Sequence, residues 1–251
     1  MKTIVANWKM NLGIRGSVAL TKQILLALKA QKMAPEVIVC PGYLALSEVR
    51  KVIAHSRISL GAQDMFWETQ GAFTGEVSPT ELKEVGVSHI LIGHSERRNI
   101  LGETNEMIAK KVLAACSNGI VPIVCVGESI EDHAAGITIE TIKKQIQQVF
   151  SLVAEQGFTN PIYVAYEPVW AIGSGQSADP KEVAKVHAVI REELRSVITG
   201  SVSVLYGGSV DDSNAQSFLA EEDVDGLLVG GASLKLRELT EIFAIAADNI
   251  G

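Results

Sequence analysis

The segment Ile120–Val126 reads IVPIVCV and contains no charged side chain. Similar short apolar runs recur along the whole chain. The eight runs are Thr3–Ala6, Val37–Cys40, Ile58–Leu60, His89–Ile92, Ile120–Val126, Ile162–Tyr166, Val202–Tyr206 and Gly226–Val229. They are nearly continuous in Val, Ile and Leu and do not alternate with polar residues, which predicts strands buried on both faces of a parallel sheet covered by helices.

Amphipathic stretches separate these runs. One such stretch carries apolar residues at helical spacing from Ile139 to Val153. Two helix starts are marked at Ser78–Glu81 and Asp179–Glu182, where a capping residue precedes Pro and Glu follows at the third helical position. Strand–helix alternation repeated eight times is typical of an α/β fold, either an eight-stranded barrel or a large doubly wound sheet. No linker divides the chain, which favours one domain over residues 1–251.

Composition excludes several classes of protein. The chain has 251 residues, of which 47% are hydrophobic and 20% charged, and its net charge is −7, from 22 basic and 29 acidic residues. A globally disordered chain is therefore excluded. Nucleic acid and membrane surfaces are poor partners for a chain this acidic, because phosphate contacts dominate both affinities.

The three cysteines, Cys40, Cys116 and Cys125, form no C-x-x-C pair and are odd in number. This argues against a disulfide framework and predicts small buried hydrophobes in a reducing compartment. The sequence also lacks a run of about 20 apolar residues and a signal-peptide pattern at its start, so the expected location is the cytoplasm.

Polar, charged and glycine residues follow six of the eight runs. These segments are Asn7–Lys9, Gly93–Glu96, Gly127–Glu128, Glu167–Trp170, Gly207–Ser209 and Gly230–Gly231. Ligands of parallel α/β folds bind at the carboxyl ends of the strands. Six such segments at one edge of one sheet indicate an enzyme.

Each candidate residue admits two interpretations. Glu167 is a general base or a surface carboxylate in a salt bridge, and Pro168 keeps it extended at the mouth of the sheet. His94 polarises a substrate or caps a helix. Lys9 holds an anion, forms a Schiff base or is a solvated charge. The two Gly-Gly segments bind phosphate through backbone N–H groups or simply make tight turns.

Several strings together resemble the triosephosphate isomerase family, in family order from residue 4 to residue 233. They are Ala6–Asn11, Gly61–Gln63, Gly71–Glu76, Ile92–Arg98, Cys125–Glu128, Ala165–Gly173, Tyr206–Val210 and Val229–Ser233. The resemblance implies a single-domain (β/α)₈ TIM barrel. It also implies an aldose–ketose isomerase of glycolysis and gluconeogenesis, which interconverts dihydroxyacetone phosphate and D-glyceraldehyde 3-phosphate through an enediolate.

The resemblance also assigns the catalytic roles. Glu167 is the expected base, and His94 is the expected neutral electrophile that polarises the carbonyl. Lys9 and Asn7 are expected to bind the anionic substrate and stabilise the enediolate, with Glu96 as a supporting carboxylate near Lys9.

Binding and assembly are implied in the same way. The expected phosphate-binding groups belong to Gly173, Ser209, Gly230 and Gly231. The expected lid consists of Pro168, Val169, Trp170, Ala171, Ile172 and Gly173, and its closure excludes water. The loop around Thr74 is expected to enter a partner subunit, with Asn11 as a further contact, which implies a homodimer. No metal or organic cofactor is implied.

The chain departs from many relatives at three places. Asp64 stands where many have Asn, which concerns the dimer contact. Ser174 replaces Thr, and Gln176-Ser177-Ala178 replaces Lys-Thr-Ala, which concern the lid.

Three other functions stay open at this point. One is an aldolase that uses Lys9 as a Schiff base, and another is an isomerase of a larger sugar phosphate. The third is a non-catalytic barrel that binds phosphometabolites. Asn7, Lys9, His94 and Glu167 argue against the last, since a binding module needs no base facing an electrophile.

Overall fold

Eight parallel strands close into a barrel in this computed structural model, which describes residues 1–31, 33–172 and 177–249. The strands are β1 (Thr3–Asn7), β2 (Glu36–Cys40), β3 (Ile58–Ala62), β4 (His89–Ile92), β5 (Val121–Val126), β6 (Ile162–Tyr166), β7 (Val202–Tyr206) and β8 (Gly226–Val229). Each strand pairs with its successor in the chain, and β8 pairs with β1, with Gly226 opposite Thr3. This last pairing decides for the barrel and against the doubly wound sheet.

The helices lie between the strands along the chain. They are α1 (Ile14–Lys29), α2 (Leu46–Ile53), α3 (Pro79–Val85), α4 (Ser95–Asn99), α5 (Asn105–Ser117), α6 (Ile130–Ala134), α7 (Thr138–Val149), α8 (Ser151–Gln156), α9 (Pro180–Arg195), α10 (Ala215–Leu219) and α11 (Leu236–Asp248). Short 3₁₀ helices cover Tyr43–Ala45, Val169–Ala171 and Gly231–Leu234. Among the described residues, no helix is both long enough and apolar enough to cross a bilayer.

The two predicted helix starts are confirmed. Ser78 forms a complete capping box with Glu81 at the start of α3. Asp179 accepts hydrogen bonds from the backbone N–H groups of Lys181 and Glu182 at the start of α9. The predicted apolar face from Ile139 to Val153 is not one helix, however, because Phe150 separates α7 from α8.

Both faces of every strand are buried, which explains the continuous apolar runs. Ile4 and Ala6 of β1 pack in the layer between strands and helices, whereas Val5 points into the barrel. In the part of the chain that the structure describes, strand side chains fill the interior. These are Val5, Ile38, Cys40, Leu91, Ile123, Cys125, Ala165, Leu205 and Leu228.

The cysteines are buried free thiols, as the sequence predicted. Burial raises the pKa of Cys116 to about 11 and also raises the pKa of Cys40 and Cys125. All three therefore stay protonated and serve as small apolar side chains.

Candidate active site

Glu167 leaves the carboxyl end of β6 and is only 2% exposed. Its backbone N–H donates to the carbonyl of Val126 at 2.7 Å, which extends the pairing of β5 with β6 by one step. Close approach of the neighbouring segment requires glycine there, since a Cβ at Gly127 would lie 1.8 Å from the Glu167 carbonyl oxygen. The backbone contacts thus fix the position of the Glu167 main chain, from which the carboxylate extends.

The Glu167 carboxylate contacts the turn after β4. Its Oε1 lies 3.0 Å from His94 Nε2, and its Oε2 accepts a hydrogen bond from the Ser95 backbone N–H at 2.8 Å. His94 is the N-cap of α4, and its Nδ1 accepts from the Glu96 N–H at 3.2 Å. A nitrogen that accepts carries no proton, so the proton of a neutral imidazole belongs on Nε2. The hydrogen bonding therefore assigns a neutral His94 whose Nε2–H faces the base.

Lys9 is held in a strained backbone conformation. Its φ of 50° is the one positive value of a non-glycine residue in the described part of the chain. The Asn7 side chain accepts from the Lys9 N–H at 3.0 Å, and Gln63 donates to the Lys9 carbonyl at 2.8 Å. The Lys9 ammonium pairs with Glu96 Oε1 at 2.6 Å. A strained backbone conformation that neighbouring residues hold in place is typical of functional positions.

A cavity of about 800 Å³ joins these groups at the carboxyl end of the barrel. The sequence-predicted residues that line it are Asn7, Lys9, His94, Glu96, Glu167, Ile172, Ser209, Gly230 and Gly231. Gly173, also predicted to bind substrate, lies outside the described residues. One cavity therefore collects the acid–base and charged groups together with the glycine segments after β7 and β8.

Those glycine segments lie close to the catalytic candidates. A Cβ at Gly207 would come within 3.0 Å of Glu167 Cγ, and one at Gly230 within 3.5 Å of Lys9 Cε. Ser209 Oγ donates to the Ala171 carbonyl at 2.6 Å. The Gly207 N–H donates to the Tyr166 carbonyl at 2.8 Å, so this glycine serves close packing against Glu167. The absence of a side chain at Gly230 leaves room for an anion beside Lys9.

Comparison with known proteins agrees with this geometry. The family model described as triosephosphate isomerase matches residues 2–246. The triosephosphate isomerase of Thermoanaerobacter pseudethanolicus is 44% identical over 243 residues, covering 95% of this chain and 97% of its own. That of Magnetococcus marinus is 41% identical over 244 residues, covering 95% and 96%.

The chain belongs to the triosephosphate isomerase family.

The segment expected to be the lid of this triosephosphate isomerase family member begins with a 3₁₀ turn bound to Glu128. The Trp170 indole N–H donates to Glu128 Oε1 at 2.8 Å, and the Tyr166 hydroxyl donates to the same oxygen at 3.1 Å. The Val169 N–H donates to the Glu128 carbonyl at 3.3 Å. Sequence reasoning marked Glu128 only as a residue after β5. Its position at a strand end was the signal, but its partner lies 42 residues away.

A buried charge cluster borders the Lys9–Glu96 pair, and the sequence analysis did not predict it. Lys111 Nζ lies 2.7 Å from Asp64 Oδ1 and also bonds Glu103. Arg97 binds the same two carboxylates, at 2.9 Å to Asp64 and 3.3 Å to Glu103. Two cations thus neutralise two carboxylates. Asp64 was singled out as a departure from relatives, and the cluster supplies its counter-charges.

Arg98 links the turn that precedes His94 to β5 through hydrogen bonds. Its Nε donates to the Gly93 carbonyl at 2.7 Å and its Nη2 to the Cys125 carbonyl at 3.0 Å. Arg98 stands within the family string quoted above, which was the available signal, although no role was assigned to it.

Thr74 and Asn11, the predicted dimer contacts, are both exposed. No hydrogen bond joins them within the described residues. Asn11 lines a second cavity, of about 590 Å³, beside Lys9, and its amide donates to the Trp8 carbonyl at 2.8 Å. Thr74 precedes Gly75, whose φ of 94° turns the chain at the tip of its loop.

Proposed function

We propose that this chain interconverts dihydroxyacetone phosphate and D-glyceraldehyde 3-phosphate by proton transfer through an enediolate. The observation that carries the proposal is the pairing of a buried Glu167 carboxylate with the Nε2–H of a neutral His94 at 3.0 Å, in one cavity with Lys9. The reaction requires a base, a hydrogen-bond donor for the carbonyl and a positive charge, and this cavity holds all three.

In the proposed mechanism, Glu167 removes a proton from one substrate carbon and returns it to the neighbouring carbon. His94 Nε2–H donates to the carbonyl oxygen as negative charge develops on it. The Lys9 ammonium and the Asn7 amide stabilise the enediolate. The Glu167 carboxylate leaves its hydrogen bonds with Ser95 and His94 to reach the substrate, and it reacts as a poorly hydrated base because it is buried.

Phosphate binding is assigned to the glycine-rich edge of the cavity. The backbone groups of Ser209, Gly230 and Gly231, together with Gly173, hold the phosphate of the substrate. The closeness of these segments to Glu167 and Lys9 supports this assignment: a Cβ built at Gly207 would come within 3.0 Å of Glu167 Cγ, and one at Gly230 within 3.5 Å of Lys9 Cε. A phosphate bound there would lie next to the reacting carbons. The segment Pro168–Gly173 is the proposed lid, and it follows the base directly in sequence.

The partner we propose is a second copy of this chain. The cavity of about 590 Å³ beside Lys9 is rimmed by side chains that are unusually exposed for apolar residues, Met10 at 99% and Leu44 at 85%. The loop that carries Thr74 is a protruding segment of the kind that fills such a cavity. Each copy would complete the active site of the other. We also propose that residues 1–251 form one barrel domain and that the protein works in the cytoplasm.

The dimer is tested by Thr74→Arg, which places a large cation at the tip of the loop. Analytical ultracentrifugation of the wild-type chain is expected to show a dimer, and the variant a monomer with reduced turnover. Thr159→Arg, the same substitution at an exposed threonine before β6, is the matched control and should stay dimeric. A wild-type monomer at micromolar concentration would refute the proposal.

The activity is tested by mixing purified protein with glyceraldehyde 3-phosphate in EDTA and following dihydroxyacetone phosphate. Rapid turnover is expected in wild type and near-complete loss in Glu167→Gln. Borohydride with substrate should trap no covalent adduct, because the ammonium of Lys9 is held in an ion pair with Glu96 and an ammonium is not a nucleophile. Folded protein without turnover would refute the isomerase, and a trapped adduct would favour an aldolase.

A further inference from the structure

The turn between β7 and α10 carries Ser209, one of the residues to which we assign phosphate binding. Backbone groups hold an anion well when they are fixed before the anion arrives. The Ser209 hydroxyl already donates to the Ala171 carbonyl at 2.6 Å. The affinity for phosphate therefore depends on what fixes the main chain of this turn.

Asn214, the residue before α10, holds this turn at two points with one side-chain amide. Its Nδ2 donates to the Ser209 carbonyl at 3.0 Å, and its Oδ1 accepts from the Asp211 N–H at 3.0 Å. Because one partner needs a donor and the other an acceptor, the two partners fix the orientation of the amide. A carboxylate at position 214 could not donate to Ser209, and an apolar side chain could make neither hydrogen bond.

The Asp211 side chain binds Asn214 in return. Its Oδ1 accepts from the Ser213 hydroxyl at 2.6 Å and from the N–H groups of Ser213 and Asn214 at 2.9 and 3.2 Å. These hydrogen bonds, above all that of the Ser213 hydroxyl, lower the pKa of the Asp211 carboxyl, so it accepts as a carboxylate at neutral pH. Asp211 and Asn214 thus each bind a backbone N–H of the other.

Helix α10 is the fixed element to which Asn214 connects the turn. Ala215, Phe218 and Leu219 of this helix are buried in the core, and the Phe218 ring stacks on Tyr206 of β7 with centroids 4.0 Å apart. Asn214 precedes the helix directly and also lines the cavity of about 800 Å³. Its amide therefore links the packed core to the main chain of Ser209.

We propose that Asn214 is a positioning residue for the substrate phosphate. Its amide holds the Ser209 main chain in the conformation that binds the anion. The phosphate is remote from the reacting carbons, and binding energy from such a remote group speeds the reaction only of substrates that carry it. The role of Asn214 in catalysis rests on the proposed function, but phosphate binding can be measured without turnover.

The catalytic role is tested by comparing two substrates in Asn214→Ala. We expect kcat/KM for glyceraldehyde 3-phosphate to fall about five- to tenfold, as for loss of one or two hydrogen bonds. For D-glyceraldehyde, which lacks the phosphate, kcat/KM is measured as deuterium incorporation from D₂O and should equal that of wild type. Equal losses for the two substrates would show a general structural role and would overturn the proposal.

Two further variants separate the hydrogen bonds from other effects of the substitution. Asn214→Leu fills a similar volume, so it should match Asn214→Ala if the amide matters and not the space. Asn118→Ala removes a comparable amide, which donates to the Ala114 carbonyl at 2.8 Å at the end of α5, outside the residues that line the cavity. This control should keep wild-type kinetics with both substrates. A loss in Asn214→Ala that Asn214→Leu restores would overturn the role of the amide.

Phosphate binding is tested by the midpoint of thermal unfolding at increasing concentrations of inorganic phosphate. A ligand of the folded chain raises this midpoint by mass action, and general salt effects are common to all the variants. Asn214→Ala should need about five- to tenfold more phosphate than wild type for the same rise, and Asn118→Ala should need no more. The same phosphate dependence in Asn214→Ala and wild type, or none in wild type, would overturn the proposal. An inactive wild-type chain that still shows the difference would refute the proposed function alone.

Discussion

The two ends of the barrel use polar side chains in opposite ways. At the carboxyl end, Asn7, Lys9, His94 and Glu167 surround a cavity of about 800 Å³, and Lys9 holds a strained φ of 50°. At the amino end, Glu36 Oε2 accepts hydroxyl hydrogen bonds from Thr3 at 2.9 Å and Tyr163 at 2.8 Å. At the amino end these polar groups hydrogen-bond one another, whereas at the carboxyl end they face an open cavity.

Histidines show the same contrast. His94 keeps its Nε2–H toward Glu167 at the mouth of the cavity. His187 of α9 is fully buried. Among the described residues, its side chain hydrogen-bonds only the Asp223 carbonyl, at 3.1 Å, in the segment that leads into β8. Burial lowers the pKa of His187 to about 3, so this imidazole is a neutral packing group. Changes at the carboxyl end should therefore alter turnover, and changes toward the amino end should alter stability.

The largest effect is expected for Glu167→Asp. Shortening the side chain by one methylene withdraws the base from the substrate carbon, so kcat should fall about 10³-fold with little change in KM. Thermal unfolding followed by circular dichroism should give nearly the wild-type midpoint. Wild-type kcat in this variant would show that Glu167 is not the base.

Lys9→Ala should have the next largest effect. Loss of the ammonium removes stabilisation of the enediolate and of the bound anion, so kcat/KM should fall about 10²-fold, with KM raised. Lys22→Ala, at an exposed lysine of α1, is the control and should behave as wild type. Unchanged kinetics in Lys9→Ala would remove Lys9 from the site.

His187→Gln tests the contribution of the amino end to stability through its pH dependence. Its folded pKa of about 3 lies below the usual value near 6.5, so the unfolded chain binds the extra proton and stability falls as pH drops from about 6.5 toward 3. At pH 5 this amounts to about 2 kcal/mol relative to neutral pH. His187→Gln should lose that part of the pH dependence in urea unfolding, with kcat unchanged. An identical pH dependence in variant and wild type would contradict the assignment.

Glu36→Ala should give the smallest effect, and it belongs wholly to stability. The Thr3 and Tyr163 hydroxyls lose their shared acceptor but can bind water in part, so the free energy of unfolding should fall by about 1 kcal/mol. The measurement is urea unfolding alongside steady-state kinetics. A drop in kcat without loss of stability would break the division between the two ends.

The strands were predictable because burial on both faces leaves a local signature. The bounds of β4, β6, β7 and β8 are those predicted, whereas β1, β2 and β5 differ by one residue and β3 by two. Closure was not predictable from the pattern, because it depends on Thr3 pairing with Gly226 at the far end of the chain. The pattern left the barrel and the doubly wound sheet open, and only the family resemblance chose the barrel.

The candidate site likewise has a part that the sequence predicts and a part that depends on the folded structure. Asn7, His94 and Glu167 stand at strand ends, so topology alone brings them to one cavity. The partners of Glu128 and Lys111 are specific pairs of side chains on separate elements. No local sequence pattern predicts such pairs, because the position of the helix that carries Lys111 depends on the packing of the whole fold.

The positive φ of Lys9 has a consequence for engineering. A lysine in this left-handed region is disfavoured by about 1–2 kcal/mol, whereas glycine adopts it freely. A heat-resistance screen would therefore enrich glycine at position 9, and each selected variant would lose the ammonium that we propose binds the substrate. Thermal tolerance and turnover compete at this single residue, so selection for this protein must score both in the same round.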